Sequence, residues 1–413
     1  MGSSTEKAFW RRFVDTIWER TPAHLGSTIE PLLRADEVFS LAVTVGQSLA
    51  SGNTSLRIRW CDDGKHVVWL QPNAKSASRL PQGSDRDLSG YVARMSRHET
   101  FFFQVPALHL HHPALWPRLA AFTENFYPHV GTPGQMAWTD VYFGRYQATP
   151  FGVHLDGASN FTFGIAGDKT LYLWEPEYYR AHMAGASPHD YERFRHAAMK
   201  LTVGPGEVIY WPARYHHIAV PDGRFSVTMN FAFYPERSQS AWLERAFGQL
   251  ITQEKRRMQG PLHGSSLPDD LAQTCRAAAS RAAQGGLERE LLRGVVEHST
   301  RLGFEHPPPQ RPPERLEPND RVRLAPQCKL VSAPDGHDAV VVSANGYSFV
   351  AEKADPIHAA LRRLRSGQLL RVELDTRVLL EQLHRWGAVD RAGTFGDSVQ
   401  HAGAKRARRR GRR

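Results

Sequence analysis

The sequence predicts a mainly β core of antiparallel sandwich or barrel type, with flanking helices and a small α+β domain after it. Three observations carry this. From Ala137 to Pro235 the chain is a succession of short β-type runs broken by Gly, Pro and Asp. From Ser238 to Leu302 the apolar period becomes helical. A proline-dense stretch, His306 to Pro318, then precedes a return to strand-like and helix-like runs.

The elements follow in order. Between Glu6 and Glu19, the residues Phe9, Trp10, Phe13, Val14, Ile17 and Trp18 recur at i, i+3, i+4 spacing and predict an amphipathic helix ended by Pro22. Residues 56–72 read as short strands (Leu56, Ile58, Trp60; then Val67 to Leu70), and Ser76 to Ser89 as a polar loop. Phe101 to Phe103 read as core. In Asn160 to Ile165 and Phe225 to Phe233, a greasy face alternates with a small polar one. The greasy face is expected to pack outward and the polar one to line an interior. Ser238 to Met258 carries Trp242, Leu243, Ala246, Phe247, Leu250 and Ile251 on one helical face, with Gly260 as stop. Asp269 to Gln284 and Leu287 to Leu302 read as two further helices. Beyond the prolines, strands are expected at Val340–Ser343 and Tyr347–Val350, and helices at Pro356–Leu364 and Thr376–Trp386.

Composition bounds the functional classes. The chain has 413 residues, 41% hydrophobic and 23% charged, which is globular and excludes global disorder. No run approaches the roughly 20 apolar residues of a membrane span, and the charged first twenty residues argue against a secretory signal. Cys61, Cys275 and Cys328 lie far apart, which excludes a zinc ribbon or disulfide scaffold and suits a reducing cytoplasm. Of the net charge of +10, seven positive charges lie in residues 405–413, leaving +3 elsewhere. That tail is expected to be a disordered terminus capable of weak nucleic-acid contact. No GxxxxGKS or GxSxG motif appears, so a P-loop NTPase and an α/β-hydrolase lack support.

The chemistry concentrates in the β-rich middle. His154-Leu-Asp156 places an imidazole and a carboxylate on one face of a strand. A third ligand must come from elsewhere, and Tyr215-His216-His217 follows a strand and the bend at Pro212. Two His and one carboxylate on one face form the triad of non-haem Fe(II) oxygenases, which leaves positions open for co-substrate and O2. An HxD pair alone is weak in a chain with 20 His; the downstream pattern makes the case. Lys169 opens the apolar strand Lys169–Trp174, where a cation could meet a dicarboxylate. His109, His111 and His112 lack a carboxylate and are expected to form a loop or surface group.

Together these residues resemble the JmjC and cupin-like Fe(II)/2-oxoglutarate oxygenases. His154-Leu-Asp156-Gly-Ala-Ser-Asn160, with Lys169-Thr-Leu-Tyr-Leu after it, is similar to the asparaginyl hydroxylase of the hypoxia response. Gly206-Glu-Val-Ile-Tyr-Trp-Pro212 and the two histidines resemble the family's third-ligand motif, which selects His217, with His216 as fallback. Phe13 to Pro22, with its Trp-Glu-x-x-Pro, and the overall layout resemble the ribosomal-oxygenase branch.

The resemblance implies a double-stranded β-helix (jelly-roll, JmjC type) at 1–236. It further implies a helical region at 237–305 with a dimerisation role, a linker at 306–320, a winged-helix-like domain at 321–392 and a disordered basic tail at 393–413. It implies Fe(II) on His154, Asp156 and His217, and 2-oxoglutarate on Lys169. Asn160, Thr162 and Asn230 would tune the pocket, and the co-substrate tyrosine falls on Tyr146 or Tyr142. The implied activity is hydroxylation of a side chain in a protein or ribosomally made peptide. The other readings are N-methyl demethylation and a non-catalytic scaffold that binds a partner or nucleic acid through its C-terminal domain. Two departures stand out: Phe151 occupies the place of a hydroxyl residue in the hypoxia enzyme, and the Arg-rich strand of the ribosomal branch is absent.

Overall fold

The computed structural model describes residues 4–53, 57–97, 100–221, 223–235, 238–252 and 269–392. The chain divides into two compact units, Met1–Glu236 and Arg237–Arg413. The first contains eleven described strands: β1 Ala23–Gly26, β2 Arg59–Cys61, β3 Val68–Trp69, β4 Phe101–Pro106, β5 Met136–Arg145, β6 Ser159–Ala166, β7 Lys169–Trp174, β8 Met199–Val203, β9 Val208–Trp211, β10 His216–Val220 and β11 Phe225–Tyr234.

Eight of them form one antiparallel sheet in the order β1-β9-β6-β11-β5-β4-β2-β3. Facing it is a smaller sheet, β10-β7-β8, which His154 extends by an isolated bridge to His217. The two sheets make a double-stranded β-helix, so the sequence expectation of an antiparallel β core flanked by helices matches the architecture.

Alternation decides which side chains enter the barrel. β11 pairs with β5 from Phe225↔Arg145 to Tyr234↔Met136 and with β6 on its other side. The outward faces of β6 and β11 carry Phe161, Phe163, Phe231 and Phe233, all buried. They meet two helices, Ser4–Thr16 and Trp116–Val130. Phe13 and Phe126 lie 5.5 and 5.6 Å from Phe161, and Phe122 lies 5.3 Å from Phe231, in tilted or edge-on geometry. This aromatic layer holds the sheet and fixes which face turns inward. The inward face is the small polar set Thr162, Thr228 and Asn230.

In the smaller sheet, β7 is buried along its whole length. Tyr172 and Trp174 pack outward with Val153, Tyr191, Phe194, Ile218 and Val220. Leu171 and Leu173 turn inward with Trp211 and Tyr215, and Lys169 shares their face.

Several local readings need correction. Ser76–Ser89 is not a plain loop: a helical turn spans Ala74–Ala77 and a helix begins at Leu88. Asn73 and Asp87 cap them by accepting from the backbone N–H groups of Ser76 and Gly90. Those caps were present in the sequence. His109 is not a surface residue; it is 1% exposed, with its ring 5.7 Å from Trp116.

In the second unit, helices span Gln239–Thr252, Asp269–Arg281 and Leu287–Thr300, the last two joined by a kink at Ala282–Gly286. Residues 253–258 of the first expected helix, with Gly260, lie outside the described residues. Six short strands follow: β12 Arg321–Leu324, β13 Leu330–Pro334, β14 Ala339–Ala344, β15 Tyr347–Glu352, β16 Leu370–Arg371 and β17 Val389–Arg391. They form two sheets, β16-β12-β17 and β13-β14-β15. With helices Asp355–Arg365 and Leu374–Arg385 they enclose a core of Val322, Val342, Leu361, Leu364, Leu380 and Leu383. Leu316, within the proline-rich stretch, is fully buried in that core. The stretch therefore packs on the small domain instead of bridging open space. The tail 393–413 lies outside the described residues.

Candidate metal centre

His154, Asp156 and His217 come together at one end of the barrel. Nε2 of His154 lies 3.4 Å from Oδ1 of Asp156, and Nε2 of His217 lies 3.5 Å from Oδ2. The three ligating atoms all fall within 4.8 Å of one another. Bonds of about 2.1 Å at right angles set donor atoms about 3 Å apart, so a small contraction closes this set on one ion.

The backbone prepares the ring nitrogens. Nδ1 of His154 donates to the Gly152 carbonyl at 2.9 Å, and Nδ1 of His217 to the Tyr215 carbonyl at 3.2 Å. Each bond keeps the proton on Nδ1 and leaves the Nε2 lone pair for the metal. Gly152 has φ +68°, and a Cβ there would meet Pro188 at 2.7 Å, so glycine is required where this carbonyl turns toward the ring.

Charge is distributed to match. Burial pushes Asp156 up, but hydrogen bonds from His154 and His217 outweigh it and hold the carboxyl well below the usual range. Burial lowers His154, yet the bond to Asp156 prevails and its pKa is raised.

His216 takes the opposite face of β10. Its ring stacks on Tyr179 at 3.5 Å and 4°. Strand alternation thus separates the two adjacent histidines and turns His217 alone toward Asp156.

A cavity of about 200 Å³ opens beside the triad, lined by Lys169, Tyr142, Tyr146, Thr162, Thr228, Asn230 and Arg59 among others. Nζ of Lys169 donates to Thr228 Oγ1 at 2.7 Å and stands 5.4 and 5.8 Å from the Tyr142 and Tyr146 rings. Burial pulls its pKa down to about 7, the state of a cation lacking its anion. A Cβ at Gly144 would lie 2.7 Å from the Tyr146 ring, so the bare glycine lets that ring lie along the wall. Thr162 donates to Asn230 Oδ1 at 2.7 Å.

The expected residues do not all arrive there. Asn160 is buried but does not line the cavity; its amide donates to the Ala158 carbonyl at 2.9 Å. The hydroxyl of Tyr142 is held between Gln104, which donates to it at 3.2 Å, and Asp140, which accepts at 3.3 Å. Sequence reasoning missed two residues. Thr149, just before Phe151, presents to the cavity a buried hydroxyl without a partner among the described residues. Arg59 lines the opening side, and the alternation of Ile58, Arg59 and Trp60 could have revealed it.

Residues 126–239 match the family model described as a cupin-like domain. A search of the curated proteins finds no match. Among solved structures, the ribosomal oxygenase YcfD of Escherichia coli in complex with cobalt and succinic acid is similar. It has a TM-score of 0.53 and 16% identity, over 93% of this chain and 98% of that one. YcfD in complex with cobalt and 2-oxoglutarate gives a TM-score of 0.52 and 17% identity over the same shares. Residues 126–239 are thus similar to cupin-like domains, and the likeness to YcfD is one of fold. Among the described residues, no helix is long and apolar enough to cross a membrane.

Proposed function

We propose that this protein is an Fe(II)- and 2-oxoglutarate-dependent oxygenase that hydroxylates a side chain of a protein or ribosomally made peptide. The observation that carries the reading is the partly buried His154–Asp156–His217 cluster opening onto a cavity whose deep cation, Lys169, has no carboxylate partner among the described residues. The donor set is that of a metal centre with open coordination positions. A five-carbon diacid chelated there would meet Lys169 at its far end, and the nearby Thr149 and Thr228 hydroxyls suit its carboxylate oxygens.

When bound, Fe(II) and 2-oxoglutarate supply the oxidative chemistry: one atom of O2 enters a substrate C–H bond, the other enters succinate, and CO2 leaves. The chain's own residues prepare this. His154 and His217 present Nε2 because their Nδ1 protons are held by backbone carbonyls. Asp156 stays ionised. Lys169 takes up the co-substrate's distal charge and recovers its own full protonation. Thr162 and Asn230 hold one another and fix the polar wall. Leu171, Trp211 and Ala219 keep the remaining lining apolar, which limits water around the reacting centre.

A polypeptide substrate is supported by the fold shared with a ribosomal oxygenase and by the small α+β domain, which we read as a winged-helix-like module for substrate capture. Leu243, Phe247 and Ile251, all exposed on one face of Gln239–Thr252, support a homodimer surface. Free Cys61, Cys275 and Cys328 support a reducing, cytoplasmic setting.

The test is mass spectrometry of peptide pools incubated with Fe(II), 2-oxoglutarate and air. Gain of one oxygen atom that disappears without 2-oxoglutarate or in Asp156→Ala supports the proposal. Loss of a methyl group instead would make the enzyme a demethylase. No modification in any pool, with 2-oxoglutarate unconsumed, would contradict it.

A further inference from the structure

We infer that Arg59 is the specificity-determining residue of the substrate side of the cavity, and that it selects a polypeptide bearing a carboxylate side chain, Asp or Glu, close to the oxidised carbon. This rests on the oxygenase reading above.

The first ground is position. Arg59 on β2 stands opposite Gln104 on β4, which stands opposite Tyr142 on β5 and then Thr228 on β11. Thr228 holds Lys169. The backbones of Arg59 and Thr228 are therefore three strand spacings apart, about 14 Å. Lys169 is 3% exposed at the buried end, whereas Arg59 is half-buried and lines the same cavity as His154 and Asp156. The two cations serve different ends.

The second ground is preorganisation. The guanidinium lies 5.0 Å from the Trp69 ring centroid and 5.6 Å from that of Phe151, and Nη1 donates to Gln104 Oε1 at 3.2 Å. Two aromatic faces and one hydrogen bond fix the plane of the fork while its other donors have no acceptor among the described residues. A planar, held guanidinium is suited to bidentate recognition of a carboxylate. Less side-chain freedom is lost on binding than for a mobile arginine.

The third ground is charge. The nearby acid, Asp140, feels Arg59 but does not pair with it. Its carboxylate is occupied by Trp138 Nε1 at 2.9 Å and Tyr142 Oη at 3.3 Å. In the loaded site the divalent ion and Lys169 balance Asp156 and the doubly charged co-substrate. Burial raises Asp140 to about 7, so it offsets the Arg59 charge only in part, and the remainder is left for the substrate to neutralise.

The experiment uses the full chain, anaerobic, with Mn(II) and 2-oxoglutarate. Capped peptide pools that differ only in Asp against Asn, or Glu against Gln, at one position are equilibrated with it, and bound fractions are read by mass spectrometry. The wild type should retain acidic members about tenfold over their amides. Arg59→Gln should abolish the preference, and Arg59→Lys, which keeps charge but loses the fork, should reduce it. 2-Oxoglutarate affinity should stay within about twofold in both. Should Arg59→Gln not fold by circular dichroism, Arg59→Lys carries the comparison. No acid preference in the wild type, or a preference that survives both variants, overturns the inference. So does weakened 2-oxoglutarate binding, which would make Arg59 a co-substrate group. Wild-type protein that binds neither Mn(II) nor 2-oxoglutarate but still prefers acids would sink the oxygenase reading and leave Arg59 as an anion site.

Discussion

His154 and His217 exchange both of their backbone hydrogen bonds. The N–H of His154 donates to the His217 carbonyl at 3.1 Å, and the N–H of His217 to the His154 carbonyl at 2.9 Å. Two residues 63 positions apart in sequence are thus locked as one antiparallel pair. Their rings, 4.4 Å apart between centroids, project to the same face, where Asp156 meets both. The candidate metal centre is built on sheet pairing, so its geometry is as rigid as the barrel.

The two adjacent histidines should separate cleanly by mutation. His217→Ala should weaken Mn(II) binding by about 100-fold or more, since even outer-sphere partners are worth up to that much. His216→Ala, which removes only the stack on Tyr179, should leave it unchanged. Calorimetry of both variants checks this.

Metal affinity should fall with acid. His154 has a raised pKa, and its proton must leave before Nε2 can coordinate. Asp156, held well below the usual range, stays ionised and adds no dependence near neutrality. Below the His154 pKa the affinity should drop about tenfold per pH unit, and above it should plateau. Mn(II) titrations from about pH 5.5 to 8 measure the slope.

Co-substrate binding should take up a proton. Lys169 is only half protonated near pH 7 when no anion is present, and a carboxylate beside it raises its pKa. Affinity for 2-oxoglutarate should therefore decline as pH rises above about 7. Calorimetry in buffers of different ionisation enthalpy reads the uptake directly. Lys169→Met should cost about 30-fold or more in 2-oxoglutarate affinity while keeping the metal.

The aromatic layer behind the sheet should dominate stability. Phe161→Ala removes contacts with Trp10, Phe13, Phe122 and Phe126 and should cost about 3–5 kcal/mol in urea unfolding. Val378→Ser, at a position 65% exposed, should change stability by less than about 0.5 kcal/mol.

Much of this was legible in the sequence. The polar-apolar alternation of Phe225–Phe233 already separated the wall residues Thr228 and Asn230 from the packed Phe231 and Phe233, because period two survives wherever one face is buried. Lys169, which opens a strand, was readable for the same reason, whereas His154 and Asp156 lie outside the strands expected for them and were readable only as a motif. Asn160 misled: it shares the parity of Thr162 but lies at the sheet's end, where its amide turns back to Ala158. Arg59 and Thr149 escaped because neither belongs to a motif, and only folding brings β2 and the approach to His154 onto the cavity. The buried state of His109 was also hidden, since it depends on packing against Trp116.

On the proposed function, one ion on His154, Asp156 and His217 is the platform for 2-oxoglutarate held by Lys169. Anaerobic calorimetry of the metal-stripped protein, titrated with Mn(II) and then with 2-oxoglutarate, tests it most directly. Two sequential one-to-one events are expected. The second should depend on the first, and should be lost in Lys169→Met with the first retained. Binding of 2-oxoglutarate that ignores the metal, or metal binding that survives His217→Ala undiminished, would contradict it.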